Sequence, residues 1–137
     1  MNDCIFCKIA RNEIPCVKVY ENEKILAFLD INPANLGHTL VIPKNHSLNI
    51  NDIKEDELNE IMRVVKKISK ALMKINDGVN VLNNNGKAAG QLVEHLHFHV
   101  IPRNHNDGYK IGHWEAKKHT EQEMKEIQNK IKTYLKE

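Results

Sequence analysis

The spacing of apolar and polar positions changes several times along the chain, and each change predicts an element. VKVY (17–20) and KILAFLD (24–30) flank Glu21-Asn22-Glu23 and predict a hairpin. In its second arm Ile25, Ala27 and Leu29 alternate with Leu26 and Phe28, so both faces of that strand are covered. Asp30-Ile31-Asn32-Pro33 stops the strand. Gly37 then precedes a third strand, HTLVIP (38–43), which Pro43 ends. Over 54–75 the apolar positions recur every three or four residues: Leu58, Ile61, Met62, Val65, Ile68, Leu72 and Ile75. That is one face of a long helix, ended by Asn76-Asp77-Gly78. Its start reads two ways, as a capping box from Asp52 to Glu55 or as an acidic first turn, Glu55-Asp56-Glu57. VNVLN (79–83) is a short strand, 84–90 a loop with glycines at 86 and 90, and EHLHFHVIP (94–102) the next strand. Residues 103–119 are polar and aperiodic. Thr120 and Glu123 then form a capping box, and Met124, Ile127, Ile131, Tyr134 and Leu135 mark one face of a terminal helix.

Three strands, a long helix, two strands and a helix fit an α+β fold: one five-stranded antiparallel sheet with helices on one side. With 137 residues and no internal repeat, the chain reads as a single domain spanning 1–137. Lys and Arg total 20 and Asp and Glu 18, a net charge of +2, which gives no argument for a nucleic-acid or membrane partner. No apolar run is long enough to span a bilayer, and the first residues lack the apolar core of a signal peptide. The expected location is the cytoplasm, where thiols stay reduced, so the three cysteines do not read as a disulfide framework.

Histidine is the unusual component: eight residues, three of them at 95, 97 and 99. On a strand those three share one face, with Leu96, Phe98 and Val100 on the other. Stability does not ask for such a face. It suits either a metal site or nucleophilic and acid–base chemistry, since neutral imidazole can ligate, attack or carry a proton. Three ligands in a row along a straight strand converge poorly on one ion. The preceding NNNGKAAGQ loop, able to offer amides to an anionic oxygen, favours the catalytic reading.

Cys4 and Cys7 have the spacing of half a structural zinc site; two buried thiols or a redox pair are the other readings. His46 and His95 could complete a closed Cys2His2 tetrahedron beside His97. Cys16 has no partner and reads as a small buried hydrophobe.

HLHFHVI (95–101), with CIFCKI, KILAFLDINP, GHTLVIPKNH and LNNNGKAAGQ in this order, resembles the histidine-triad family of nucleotide-binding proteins over most of the chain. The closest likeness is to bacterial members of the branch that holds the nucleoside phosphoramidate hydrolases. The resemblance implies hydrolysis at the α-phosphorus of a nucleotide through a covalent nucleotidyl-histidine, releasing a purine (adenine or guanine) nucleoside monophosphate. It makes His97 the nucleophile, its other ring nitrogen donating to a backbone carbonyl. His99 would contact the phosphate or bridging atom, and Asn84 would be an amide at the phosphate. Asp30 would hold the ribose hydroxyls. Phe6, Ile9 and Phe28 match or adjoin the base slot, and Phe28 reads equally as plain core. Gly90 and Gln91 would form the turn whose backbone reaches the phosphate. It also implies one structural zinc per chain on Cys4, Cys7, His46 and His95, and a twofold homodimer. A dinucleoside polyphosphate hydrolase and a nucleotide-binding adaptor with slow hydrolysis are the alternatives.

Two features depart from the pattern. Leu92 stands where relatives often carry Ser or Thr. A loop with Trp114 and a helix at 120–136 extend past the triad strand, with Trp114 either covering the leaving-group side of a site or anchoring that helix.

Overall fold

The computed structural model describes residues 3–136. Strands β1 (Lys18–Glu21), β2 (Ile25–Leu29), β3 (Thr39–Pro43), β4 (Gly78–Leu82) and β5 (Phe98–Arg103) form one antiparallel sheet in the order β1-β2-β3-β5-β4. The helices are α1 (Ile5–Ala10), α2 (Glu55–Leu72) and α3 (Glu121–Leu135), with one 3₁₀ turn at Lys87–Ala89. The predicted five-stranded α+β architecture is present.

The period-two pattern sorts the sheet into two faces. Ile25, Ala27, Val41, Phe98 and Val100 pack beneath Ile61, Val64 and Val65 of α2. Leu26, Phe28, Leu40 and Ile42 point the other way and meet Phe6 and Ile9 of α1. The helices therefore lie on both faces, not on one. The pattern missed α1 because six residues are too few to show a helical period. Cys4 caps it, its Sγ accepting the Cys7 N–H at 3.4 Å.

α2 begins at the acidic run; Lys54 is its N-cap and has no side-chain bond. The Asp52 carboxylate instead accepts the N–H groups of Leu48 and Asn49 at 3.1 and 3.0 Å. β5 starts at Phe98, four residues later than the pattern predicts. Its ladders end at Val41↔Phe98 and Leu82↔His99. Upstream of them, the Leu96 N–H donates to the Ser47 carbonyl at 2.7 Å. His95 and His97 thus sit upstream of the ladders, His95 within a bend, whereas His99 is fixed in the sheet.

Gly37, with φ +102°, carries the chain into β3 where a Cβ would meet Leu72 Cδ2 at 3.3 Å. α3 has the predicted Thr120–Glu123 capping box but buries no residue: Ile127 and Ile131 are about half exposed, and Trp114 is 81% exposed. Within one chain Trp114 therefore does not anchor the helix. No helix among the described residues is long and apolar enough to cross a membrane.

Candidate active site and metal centre

The α1 face of the sheet opens into a cavity of about 590 Å³, within the range of roughly 300–1,000 Å³ typical of small-molecule sites. Phe6, Ile9, Phe28, Asp30, Asn84, Gly90, His97 and His99 all line it. Of the residues expected at the substrate only Gln91 does not.

His97 is 6% exposed, and its Nδ1–H donates to the His95 carbonyl at 2.7 Å. Nδ1 therefore holds the proton and Nε2 keeps a lone pair. Burial pushes its pKa down, against the opposing pull of that carbonyl and of Asp30, so the ring is neutral. The His97 carbonyl is pinned in turn by Asn83 Nδ2 at 3.0 Å.

His38 completes the arrangement, and the sequence pattern passed over it. It is 5% exposed, and its Nδ1 accepts the Ala34 N–H at 3.0 Å. Neutral His38 must then carry its proton on Nε2, which faces Nδ1 of His99 at 2.9 Å. His99 accepts there and holds its own proton on Nε2. Burial, with His97 and His38 beside it, pushes His99 down to about 4. The readable signal was a histidine in phase with Leu40 and Ile42, immediately before a largely apolar strand.

Asp30 accepts the Asn32 N–H at 2.9 Å through Oδ1, and its Oδ2 lies 3.6 Å from His38 Nε2. The three consecutive asparagines divide their work. Asn83 holds the His97 carbonyl, Asn85 accepts the Ile50 N–H at 2.8 Å, and Asn84 faces the cavity with no side-chain bond among the described residues.

The glycine loop is braced internally. The N–H groups of Gly90 and Gln91 donate to Lys87 and Gly86 carbonyls at 2.9 and 3.1 Å, so neither is free for an anion. The Gln91 amide is also consumed, accepting from Gly86 and donating to Leu48 and Val93 carbonyls. The expected backbone contact from these two residues is thus not available. The next two residues, Leu92 and Val93, line the cavity, and their N–H groups have no partner among the described residues.

A second constellation lies behind the first. Cys4 Sγ is 3.3 Å from His95 Nδ1, Cys7 Sγ is 3.4 Å from His46 Nδ1, and Cys7 Sγ is 3.5 Å from His95 Nδ1. All four ligand atoms lie within 4.8 Å of one another. A tetrahedral zinc with bonds of about 2.3 Å to sulfur and 2.05 Å to nitrogen has sulfur–nitrogen edges of about 3.5 Å, so the residues fit the ion. His95 is fully buried and held near pKa 4 by desolvation, and its Nε2 faces the Pro43 carbonyl at 2.8 Å. That bond puts the proton on Nε2 and leaves Nδ1 free to ligate, as a carbonyl behind a ligating histidine does.

Asp30, His38 and His99 also cluster within 4.8 Å. They fit an ion poorly. A metal on His38 Nε2 would force the proton to Nδ1, against the incoming Ala34 N–H.

Residues 11–106 match the HIT domain family model. The chain belongs to the HIT family. It is 42% identical to an adenosine 5'-monophosphoramidase of Schizosaccharomyces pombe over 134 residues, 97% of this chain and 98% of that one. Within the HIT family the kinship is therefore to hydrolases. The crystal structure of a HIT family protein from Bacillus anthracis superposes with a TM-score of 0.89 at 43% identity, covering 97% of both chains. A Zn-bound histidine triad family protein from Mycobacterium smegmatis superposes with a TM-score of 0.74 at 39% identity, covering 77% of this chain and 78% of that one.

Proposed function

We propose that the chain hydrolyses nucleoside 5′-phosphoramidates or related nucleotides at the α-phosphorus through a nucleotidyl-His97 intermediate. The observation that carries this reading is the Nδ1–H bond from His97 to the His95 carbonyl, which leaves a neutral Nε2 lone pair in the cavity. The monophosphoramidase kinship supports the substrate class.

The base lies in the apolar slot of Phe6, Ile9 and Phe28, and purine is our reading of it. The open Oδ2 of Asp30 takes the ribose hydroxyls. Asn84 and the free N–H groups of Leu92 and Val93 meet the non-bridging oxygens as charge builds on them. The bound anion favours protonation of His99: the added proton enters at Nδ1, His38 shifts its own proton to Nδ1 and accepts on Nε2 in exchange for the Ala34 contact, and His99 Nε2–H faces the substrate. His97 Nε2 then bonds to phosphorus while the P–N bond breaks. The electron pair leaves on nitrogen, which takes the His99 proton and departs as a neutral amine. Water next attacks phosphorus and gives a proton back to His99. The bond from phosphorus to His97 breaks, and the nucleoside monophosphate is released.

We assign one zinc per chain to Cys4, Cys7, His46 and His95. The fit of the sulfur–nitrogen distances and the zinc-bound neighbour support it. When bound, the ion supplies cross-links and no chemistry at phosphorus: it ties α1 to His46 and His95. We place the enzyme in the cytoplasm, where Cys4 and Cys7 stay reduced, as a twofold homodimer without nucleic-acid or membrane partners. The unpaired edge of β4 and the uncovered apolar side of α3 support a dimer.

Hydrolysis of adenosine 5′-phosphoramidate by wild type and His97→Ala, at matched zinc content, tests the function. Turnover in the wild type that vanishes in a folded variant is expected; wild-type turnover in the variant would remove His97 from the chemistry.

A further inference from the structure

His95 belongs to both constellations. Its ring offers Nδ1 to the cysteines, 3.3 Å from Cys4 Sγ and 3.5 Å from Cys7 Sγ, while its backbone carbonyl accepts the Nδ1–H of His97 at 2.7 Å. Phe6 makes the same connection from α1. It stands between the two cysteines in sequence, and its ring lies 5.9 Å from the His95 ring and 5.2 Å from the His97 ring. A change at the sulfurs therefore reaches the nucleophile through one shared histidine and one shared helix.

The two sulfurs are not equivalent. Cys7 lies within α1 and is 5% exposed, whereas Cys4 is half-buried and precedes the helix as its N-cap, with extended backbone. Cys4 can thus be reached from solvent, and it can move without unwinding a helical turn. The sulfurs lie within 4.8 Å of each other, and the Cys-x-x-Cys spacing is one that closes into a disulfide. Cys16, the third thiol, lies outside this cluster.

We infer that Cys4 and Cys7 form a peroxide-sensitive site: hydrogen peroxide joins them in a disulfide, releases the zinc, and weakens nucleotide binding and turnover. The inference rests on the zinc assignment above and adds a redox response to it. The Cys4 thiolate attacks one peroxide oxygen, the O–O bond breaks, and hydroxide leaves behind a sulfenic acid. The Cys7 thiolate then attacks the Cys4 sulfur, the S–O bond breaks, and a second hydroxide leaves. The sulfurs have together lost two electrons, and hydrogen peroxide has become two hydroxides. His46 and His95 alone then face the ion, without the two thiolate charges that held it. α1 loses its tie to His46 and His95, and Phe6 and the His95 carbonyl lose their fixed places.

The test treats the zinc-loaded full chain with hydrogen peroxide. Zinc release is followed with a chromophoric chelator, and the cysteines by peptide mass analysis. One zinc per chain should be released in step with a Cys4–Cys7 disulfide. The AMP dissociation constant should rise about fivefold or more, and turnover of adenosine 5′-phosphoramidate should fall with it. Dithiothreitol with added zinc should restore both, which neither sulfinic acid nor methionine sulfoxide would allow. AMP present during the treatment should slow the release, and Cys16→Ser should leave it unchanged. Zinc retained with both thiols reduced in excess peroxide, or a disulfide to Cys16, would overturn the inference while the zinc assignment stands. Release with unchanged AMP affinity and turnover would overturn the coupling to the nucleophile. A folded chain that takes up no zinc before any peroxide is added would remove the zinc assignment itself, and the inference with it.

Discussion

Nε2 of His38 stands 2.9 Å from Nδ1 of His99, and one backbone N–H, that of Ala34, sets the proton arrangement of both rings. In the mechanism proposed above, that arrangement turns the Nε2–H of His99 toward the substrate.

Replacing His38 with Phe removes the donor to His99 Nδ1. We expect kcat to fall about 10- to 100-fold, within the range a positioned acid contributes, with little change in KM. His38→Gln, whose amide can still donate, should recover part of the loss. Steady-state kinetics on folded variants checks this; equal kcat for the Phe variant and wild type would refute the relay.

Burial holds His38 and His99 below the ordinary imidazole pKa, His99 down to about 4. Between about pH 6.5 and 4 the unfolded chain binds protons on these rings that the folded chain does not. Their effect is to make stability greatest above about pH 6.5 and to lower it as pH falls through that window. Urea midpoints at about pH 7 and pH 5 should therefore drop further in wild type than in His99→Gln at equal zinc content. Identical drops would contradict the buried neutral state.

Asp30 has one oxygen committed to Asn32 and one open to the cavity. Loss of a charged hydrogen bond of about 1.5–3 kcal/mol predicts that Asp30→Asn lowers kcat/KM roughly 10- to 100-fold on a ribonucleoside substrate. The same change should have little effect on the 2′,3′-dideoxy analogue. An equal loss on both substrates would mean that Asp30 does not read the ribose.

Phe6 sits between Cys4 and Cys7 on α1 and contacts both Phe28 and His97, at ring separations of 5.7 and 5.2 Å. Removing the metal from the Cys2His2 site should loosen α1 and with it the base slot. AMP affinity measured by calorimetry should weaken on zinc removal, and AMP should slow zinc loss to a chelator by the reciprocal linkage. Unchanged AMP affinity in zinc-free, folded protein would separate the two sites.

The sheet was legible because its apolar residues alternate in short runs, two of them ended by Pro43 and Pro102 and one opened by Gly78, signals that act locally. His97, His99, Asn84 and Asp30 were legible through their motifs, and all four line one cavity. His38 was not, because a buried histidine just ahead of an apolar strand looks like core until its side-chain contact with His99 is known. The same holds for Tyr109 and Ile111: a polar aperiodic loop gives no sign that the Arg103–Asp107 pair will fold it over the site. Gln91 misled in the opposite direction, its type and place suiting a ligand while its amide is consumed in bracing the loop.

The account turns on a covalent bond between His97 and phosphorus. Rapid quench into base during turnover of adenosine 5′-phosphoramidate, followed by peptide mass analysis, tests it most directly. The account predicts an adenylyl group on the peptide bearing His97, formed and lost at rates that support turnover and absent from His97→Ala. Full turnover with no adduct at any time, or an adduct mapped to His99, would contradict it.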